Sequence, residues 1–559
     1  MGRWDLAEGM WSQVADAARR LLSQSDRDPY SPTCGCFDRR YWGWKLVDFP
    51  EATFQRSVHP LALLYADPDS DYYQCPTVRA AVLDGLRYAA RIQHPDGSFD
   101  QAFPNEHSFG ATAFLLHSLL ETFRIVQDSI DDAICCCIER CLQQAAEFLC
   151  AHGEGHGHIA NHLAGAALSL LICADYFEQP RYRQRAEALL KRVLGRQSRE
   201  GWFLEYEGAD PGYQTLCLYY LAQVYHLRPS QALEQALRQA VDFLAYFVHP
   251  DGTFGGEYGS RRTAVFYPGG LALLSRSFPM ALSVAQAMCR SVGAGHTVTL
   301  RDVDIGNLVP LLSNYICALQ AGSFQEEVTA PLLPWEQARV QYDCPQAGLY
   351  VRGTERYYAV LGASNGGVLK VFDKQQRQVL WDDGGYIGRL AGGALATTQM
   401  TILDRPCTVG ENDIVLTSDF YRVLHSLPTP WRFVVLRLLN LTIMRNLRLG
   451  NVAKKGLVRL LISGKRRYPM QLQRRIRFKS DQVIVEDRLS KSSRLSVAWL
   501  ELGRKFLGIH MASAGYFEGG QQGHPSPAPQ IDVERLNQHH LLDVRVVVDL
   551  SPQVAQGVG

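Results

Sequence analysis

Within HPDGTFGGEYGSRR, residues 249–262, one carboxylate, one phenol and two guanidinium groups follow a turn: Glu257, Tyr258, Arg261 and Arg262. Asp251-Gly252 is itself a turn signal. The set suits an acidic sugar, because an arginine meets a carboxylate through two parallel N–H···O bonds. Asn105, Glu106 and His107 follow an earlier turn, HPDGSFDQAFP, in the equivalent place. Tyr41, Trp42 and Trp44 add aromatic faces that suit the apolar faces of pyranose rings. The candidate substrate-binding residues are therefore His107, Glu257, Tyr258, Arg261, Arg262, Trp42 and Trp44. The same residues also suit a surface salt-bridge cluster, and the tryptophans an N-terminal plug.

The elements that position them repeat. LRYAARIQHPDGSF, LLKRVLGRQSREGWF and VDFLAYFVHPDGTF each run an amphipathic helix into a polar turn, then glycine and an aromatic. Gly201 and Gly252 lie 51 residues apart, and Gly97 and Gly201 lie 104 apart, about twice that. The intermediate copy falls near residue 150, where AAEFLCAHGEGHG ends another helix. Each unit has room for two helices, and such self-similarity is the signature of a stacked or closed helical array. After about residue 340 the pattern becomes short alternating runs broken by Gly, Asn and Asp, which are strand and hairpin signals. The expected architecture is multidomain α + β: an N-terminal α/α-toroid of repeated helix pairs over residues 1–335, then an antiparallel β-sandwich over 346–559.

The 559 residues include 14 cysteines, three of them adjacent at Cys135–Cys137, and no CxxC pair. Reduced, mostly buried thiols are expected, with no metal site and no cofactor. The start lacks the basic and apolar regions of a secretory signal, so a cytoplasmic protein is expected. No uninterrupted apolar run reaches the length of a membrane span. The net charge of +1 hides an asymmetry: between Asp419 and Asp481 there are 15 Lys or Arg and no acid, leaving the rest at −14. A basic amphipathic insertion at about 430–480 fits either an anionic membrane surface on the inner face or solvated charges over a buried apolar face. Nucleic acid is not expected, because no binding motif accompanies the charge.

Five stretches carry a family likeness: WGWKLVDFPEATFQRS, NHLAGAAL at 161–168, DPGYQTLCLYYL at 210–221, GGEYGSRRT at 255–263 and GGVLKVFDKQQRQVLWDDGGYIG. Together with the toroid-then-sandwich order, they resemble the heparinase II/III-like polysaccharide lyases. The resemblance implies an acidic polysaccharide as partner and a β-elimination that removes the C5 proton of a uronic acid and expels the C4 oxygen. That chemistry needs a carboxylate neutraliser, a base and an acid. By resemblance, Asn161 with His162 supplies the neutraliser and Tyr213 is the catalytic tyrosine, while Asn161 also suits a helix N-cap. The family's His-x-His-x-Asp motif on an early sandwich strand is replaced here by LGASNGGVLKVFD, with Ser364 and Asn365 and no histidine. Either His162 or Tyr213 then acts as base, or the chain is a non-catalytic glycan-binding or assembly protein of polysaccharide or glycolipid biosynthesis.

Overall fold

The computed structural model describes residues 3–155, 157–322, 330–423, 429–445, 450, 466–503 and 528–550. Its first half is a double ring of helices. The inner ring consists of α4 (Val58–Ala66), α6 (Phe109–Val126), α8 (Ala160–Tyr176), α10 (Pro211–Leu227), α12 (Gly269–Leu274) and α14 (Ile305–Ala321). Each packs on the next, and α14 returns to α4, so the array is closed. Outside them lie α1 (Arg3–Leu22), α5 (Pro76–Ile92), α7 (Asp132–Ala151), α9 (Pro180–Leu194), α11 (Gln231–Ala245) and α13 (Pro279–Ala294). Two short helices, α2 (Arg39–Trp42) and α3 (Ala52–Gln55), precede the ring.

Composition sorts the two rings. Outer helices such as α11 bury one face, with Leu233, Ala236, Leu237, Ala240, Val241 and Leu244 inward. Inner helices such as α8 are buried nearly all round, as expected of helices apolar on every side. One of them, Phe109–Ser129 with its terminal turn, is long and apolar enough to span a membrane, yet 78% of that stretch is buried inside the toroid.

The repeated turns close each pair. Gly97 and Gly201 have φ of +87° and +94°, a conformation that glycine adopts without strain. A Cβ at Gly97 would lie 2.0 Å from the Gln144 carbonyl oxygen, and one at Gly201 2.3 Å from that of Gln239. A glutamine four residues earlier clamps each turn: Gln93 Nε2 donates to the Gly97 and Cys141 carbonyls, and Gln197 Nε2 to those of Gly201 and Ala236. Because each outer helix returns the chain, the inner helices run parallel and their N-termini gather at one end.

At that end sits the sandwich. Its first sheet is β1 (Val340–Cys344), β2 (Leu349–Gly353), β3 (Tyr357–Gly362), β4 (Val368–Asp373) and β5 (Gln378–Asp383), antiparallel in chain order. The second contains β6 (Tyr386–Leu390), β7 (Leu395–Thr397), β8 (Cys407–Val409), β9 (Asp413–Arg422), β10 (Arg467–Phe478), β11 (Gln482–Lys491), β12 (Val497–Leu502) and β13 (Leu541–Asp549). Its order is β12-β6-β7-β9-β10-β11-β13, with β8 also on β9. The first sheet is covered on both faces, which is why β2, β3 and β4 are buried at every position. Period-2 alternation divides β3 between two cores. Tyr358 and Val360 join the toroid, while Tyr357, Ala359 and Leu361 face the second sheet.

The basic stretch expected as one insertion divides in two. Residues 430–441 form α15 (Pro430–Leu441), but 467–478 are β10, paired with β9 and β11. The alternation in RYPMQLQRRIRF explains this: Met470, Leu472, Arg474, Ile476 and Phe478 point inward. Arg474 is fully buried and its charge is met by Asp383 at 2.6 Å and Asp487 at 2.7 Å. Residues 446–449 and 451–465 lie outside the described residues.

Candidate active site

Asn161 lies at the start of α8, 1% exposed. Its backbone N–H donates to Glu205 Oε1 at 3.0 Å and its Nδ2 to Glu205 Oε2 at 2.7 Å. The carboxylate thus holds both the helix start and the amide, and leaves the second Nδ2 hydrogen for a ligand. Glu205 is fully buried. Burial pushes its carboxyl well up, against the two Asn161 donors, while nearby Asp210 adds to the rise and Arg261 opposes it.

The next residue, His162, turns to a different acid. Its Nδ1 lies 2.6 Å from Glu154 Oε2, whose side chain is 1% exposed. A carboxylate there selects the Nδ1–H tautomer and leaves the Nε2 lone pair free. Among the described residues Nε2 has no partner. Phe114 stands edge-on to the imidazole with centroids 5.3 Å apart.

Tyr213 enters from α10, whose N-cap is Asp210. Asp210 Oδ1 accepts the Tyr213 N–H at 3.0 Å, and Oδ2 accepts the Arg261 N–H at 2.7 Å. One buried carboxylate therefore fixes two candidate residues from different repeats. Burial raises the Asp210 pKa, opposed by the N–H donors of Tyr213, Arg261 and Thr263. The Arg261 guanidinium lies over the Tyr206 ring, 3.3 Å from its centroid, and Tyr206 meets Tyr213 edge-on at 6.3 Å. Tyr206 is raised by burial and lowered by Arg261, and it senses both Glu205 and Glu154. Asn161, His162, Tyr213 and Arg261 thus share one cluster with Glu154, Glu205 and Tyr206.

The other sequence candidates lie elsewhere. Tyr258 is 1% exposed and its hydroxyl lies 2.8 Å from His249 Nε2, so it belongs to the core rather than the rim. Glu257 pairs with Lys370 of β4 at 2.6 Å, joining the two domains. Arg262 is 5% exposed and donates from Nη2 to the Gln399 carbonyl at 2.9 Å; burial lowers its pKa to about 10. These three carry the toroid–sandwich interface, because the sandwich covers the side of the loop that the sequence leaves open. His107 turns into its own turn, 2.8 Å from Asp96 Oδ2 and with its ring tilted against that of His94, centroids 4.4 Å apart. Trp42 donates its indole N–H to the Gln24 carbonyl, while Trp44 is 66% exposed.

The sandwich stretch without histidine reaches the site indirectly. Asn365 Nδ2 donates to the carbonyls of Glu257 at 3.0 Å and Gly259 at 2.7 Å, and its Oδ1 accepts from Thr401 Oγ1 at 2.8 Å. It clamps the loop that carries Arg261. Glu205, Glu154 and Tyr206 are absent from the sequence candidates. Their one signal was position, in the loops just before α8 and α10. Among the described residues no three His, Cys, Asp or Glu side chains converge as a metal cage.

A closed double ring of helices with a double-layered antiparallel sandwich at its N-terminal face makes a toroid-and-sandwich fold, and the polar cluster lies where the two meet. Residues 52–271, which hold Asn161, His162, Tyr213 and Arg261, match the family described as the ulvan lyase N-terminal domain. The fold is similar to that of a Paenibacillus xanthan lyase: TM-score 0.52, 10% identity, 89% of this chain and 46% of that one. It is also similar to a Streptomyces coelicolor A3 chondroitin AC lyase in complex with chondroitin sulphate: TM-score 0.52, 12% identity, 89% of this chain and 67% of that one. This chain therefore spans less than half the length of the xanthan lyase. No curated protein sequence matches it.

Proposed function

We propose that the protein is a polysaccharide lyase that cleaves a uronic-acid-containing glycan by β-elimination. The observation that carries this reading is the Asn161–Glu205 pair beside the His162–Glu154 pair, with Tyr213 and Arg261 in the same cluster. Asn161 Nδ2 and the Arg261 guanidinium bind the uronate carboxylate and drain its charge, which makes the C5 proton acidic. His162 Nε2 takes that proton. The C5–H electrons form the C4=C5 double bond, the C4–O bond breaks, and the Tyr213 hydroxyl protonates the departing oxygen. Parallel inner helices such as α6, α8 and α10 present their positive ends to the same region, which favours an anionic ligand. The family match over residues 52–271 supports ulvan as the first polymer to test.

The test is digestion of ulvan, chondroitin sulphate and xanthan, with mass spectrometry of the fragments. Fragments ending in a C4=C5 unsaturated uronate support the reading; hydrated, saturated ends would instead mean hydrolysis.

A second reading concerns location. On α15, Trp431 is 80% exposed, and Phe433, Val434, Val435, Leu438 and Leu441 are also exposed, beside Arg432. Apolar side chains mixed with basic ones suit the surface of an anionic bilayer on the cytoplasmic side. Flotation with anionic liposomes at low salt tests it, and Trp431→Ser should abolish the binding. Wild-type protein that stays with the unbound fraction at low salt rules this reading out.

A further inference from the structure

Arg56 stands where the first repeat meets the gathered N-termini, two residues before α4, while Asn161 and Tyr213 lie in the first turns of α8 and α10. Its guanidinium is 5.0 Å from the Phe114 ring centroid and donates from Nη2 to the Tyr220 hydroxyl at 3.2 Å. Phe114 stacks on Tyr220 at 5.2 Å on one side and meets His162 edge-on at 5.3 Å. A single aromatic ring thus separates Arg56 from the candidate base. Among the described residues no carboxylate lies within ion-pair distance of Arg56, and its Nε is buried with no partner.

His59 and His117, with rings 5.5 Å apart, lie close enough to feel that charge. Burial pushes both pKa values down and Arg56 pushes in the same direction, while at His117 the Glu121 charge and the Gln223 hydrogen bond oppose it. A half-buried guanidinium without an acid is costly unless a ligand supplies one. Two aromatic neighbours hold the planar group, and its remaining N–H donors suit the paired oxygens of a carboxylate or sulfate.

We infer that Arg56 is a second anion subsite, which binds a carboxylate or sulfate on the sugar next to the reacting uronate. The inference rests on the lyase reading and narrows its substrate class: the preferred glycan is charged on consecutive sugars. Loss of Arg56 then costs binding of the charged neighbour and falls on KM rather than on kcat.

The test is calorimetric titration of wild type, Arg56→Gln, Arg56→Lys and Tyr220→Phe with size-defined uronic-acid oligosaccharides. The ligands come in three forms: sulfated, desulfated, and carboxyl-reduced outside the reacting residue. Arg56→Gln should weaken the charged ligand by about 10- to 100-fold, the worth of one hydrogen-bonded ion pair. Arg56→Lys and Tyr220→Phe, which keep the charge, should lose less. If the difference between wild type and Arg56→Gln disappears on desulfation, the group bound is a sulfate; if it disappears on carboxyl reduction, it is a carboxylate. Equal affinity of wild type and Arg56→Gln for every ligand overturns the inference and leaves the lyase reading standing. So does an equal loss for charged and neutralised ligands, which would mark Arg56 as structural. Wild type that neither binds nor cleaves any of them removes the lyase reading and the subsite together.

Discussion

Asn161 is held by Glu205 at two points, backbone N–H to Oε1 at 3.0 Å and Nδ2 to Oε2 at 2.7 Å. A side-chain amide alone can rotate; here it must break its bond to a carboxylate that the backbone N–H of the same residue already holds in place. The pair fixes the donor before substrate arrives, which is where electrostatic stabilisation of a developing charge is most effective.

Glu205→Gln should therefore disable the site while leaving the fold intact. A glutamine sets an amide N–H₂ against that of Asn161, and the donor turns away. We expect kcat/KM to fall by about 100- to 1,000-fold, as for the loss of one preorganised donor. Steady-state kinetics with a circular dichroism control measure it, and activity near wild type would show that Asn161 does not act through Glu205.

The toroid was legible because its turns carry their own chemistry: Gly97, Gly201 and Gly252 need positive φ, and the flanking helices have clear faces. The sandwich was legible from its alternation. The interface between them was not. Glu257, Tyr258 and Arg262 have the same composition whether they face sugar or Lys370, His249 and Gln399. For Glu257 and Arg262 only the second domain's position decides, and that depends on contacts more than a hundred residues away in sequence. Glu154 was hidden for a related reason. In GEGHGH it reads as one polar residue of a turn, and its part comes from meeting His162 eight residues on.

The clamp at Asn365 should couple stability to activity. Asn365→Ala deletes hydrogen bonds to the Glu257 and Gly259 carbonyls and to Thr401. The buried groups left behind should cost about 1–3 kcal/mol. A lower urea midpoint together with weaker substrate binding is expected, since the same loop carries Arg261. Unchanged stability would mean that the loop is held without the sandwich.

Arg474→Met should destabilise the sandwich severely. It leaves Asp383 and Asp487 buried without their counter-charge, at a cost of about 3–5 kcal/mol. Replacing all three by apolar residues of similar volume should restore most of that, and denaturant titration of both variants compares them.

The first repeat's turn should be most stable in mildly acidic solution. Burial opposes the charged form of His94, but the Asp100 carboxylate outweighs it and raises the pKa above 6.5. Burial likewise works against the Asp100 carboxylate, and His94 with two backbone donors more than offsets it, lowering that pKa below 3.8. The His94 contribution is complete below about pH 6.5 and is lost as pH rises through its folded value. The Asp100 contribution is present above about pH 4 and is lost as pH falls through its own. Melting temperatures of wild type and His94→Gln should therefore differ most between these limits. A constant difference across the range would mean that the His94–Asp100 pair does not set the turn's stability.

The most direct measurement is the ultraviolet absorbance of the C4=C5 product, followed with wild type and Tyr213→Phe on ulvan and a panel of other uronic-acid polymers. The account expects rising absorbance with wild type on at least one polymer and a rate about 100- to 10,000-fold lower with Tyr213→Phe, the range for removing a general acid. Wild-type cleavage that Tyr213→Phe leaves unchanged would contradict the role of Tyr213, and no product from any polymer would contradict the lyase itself.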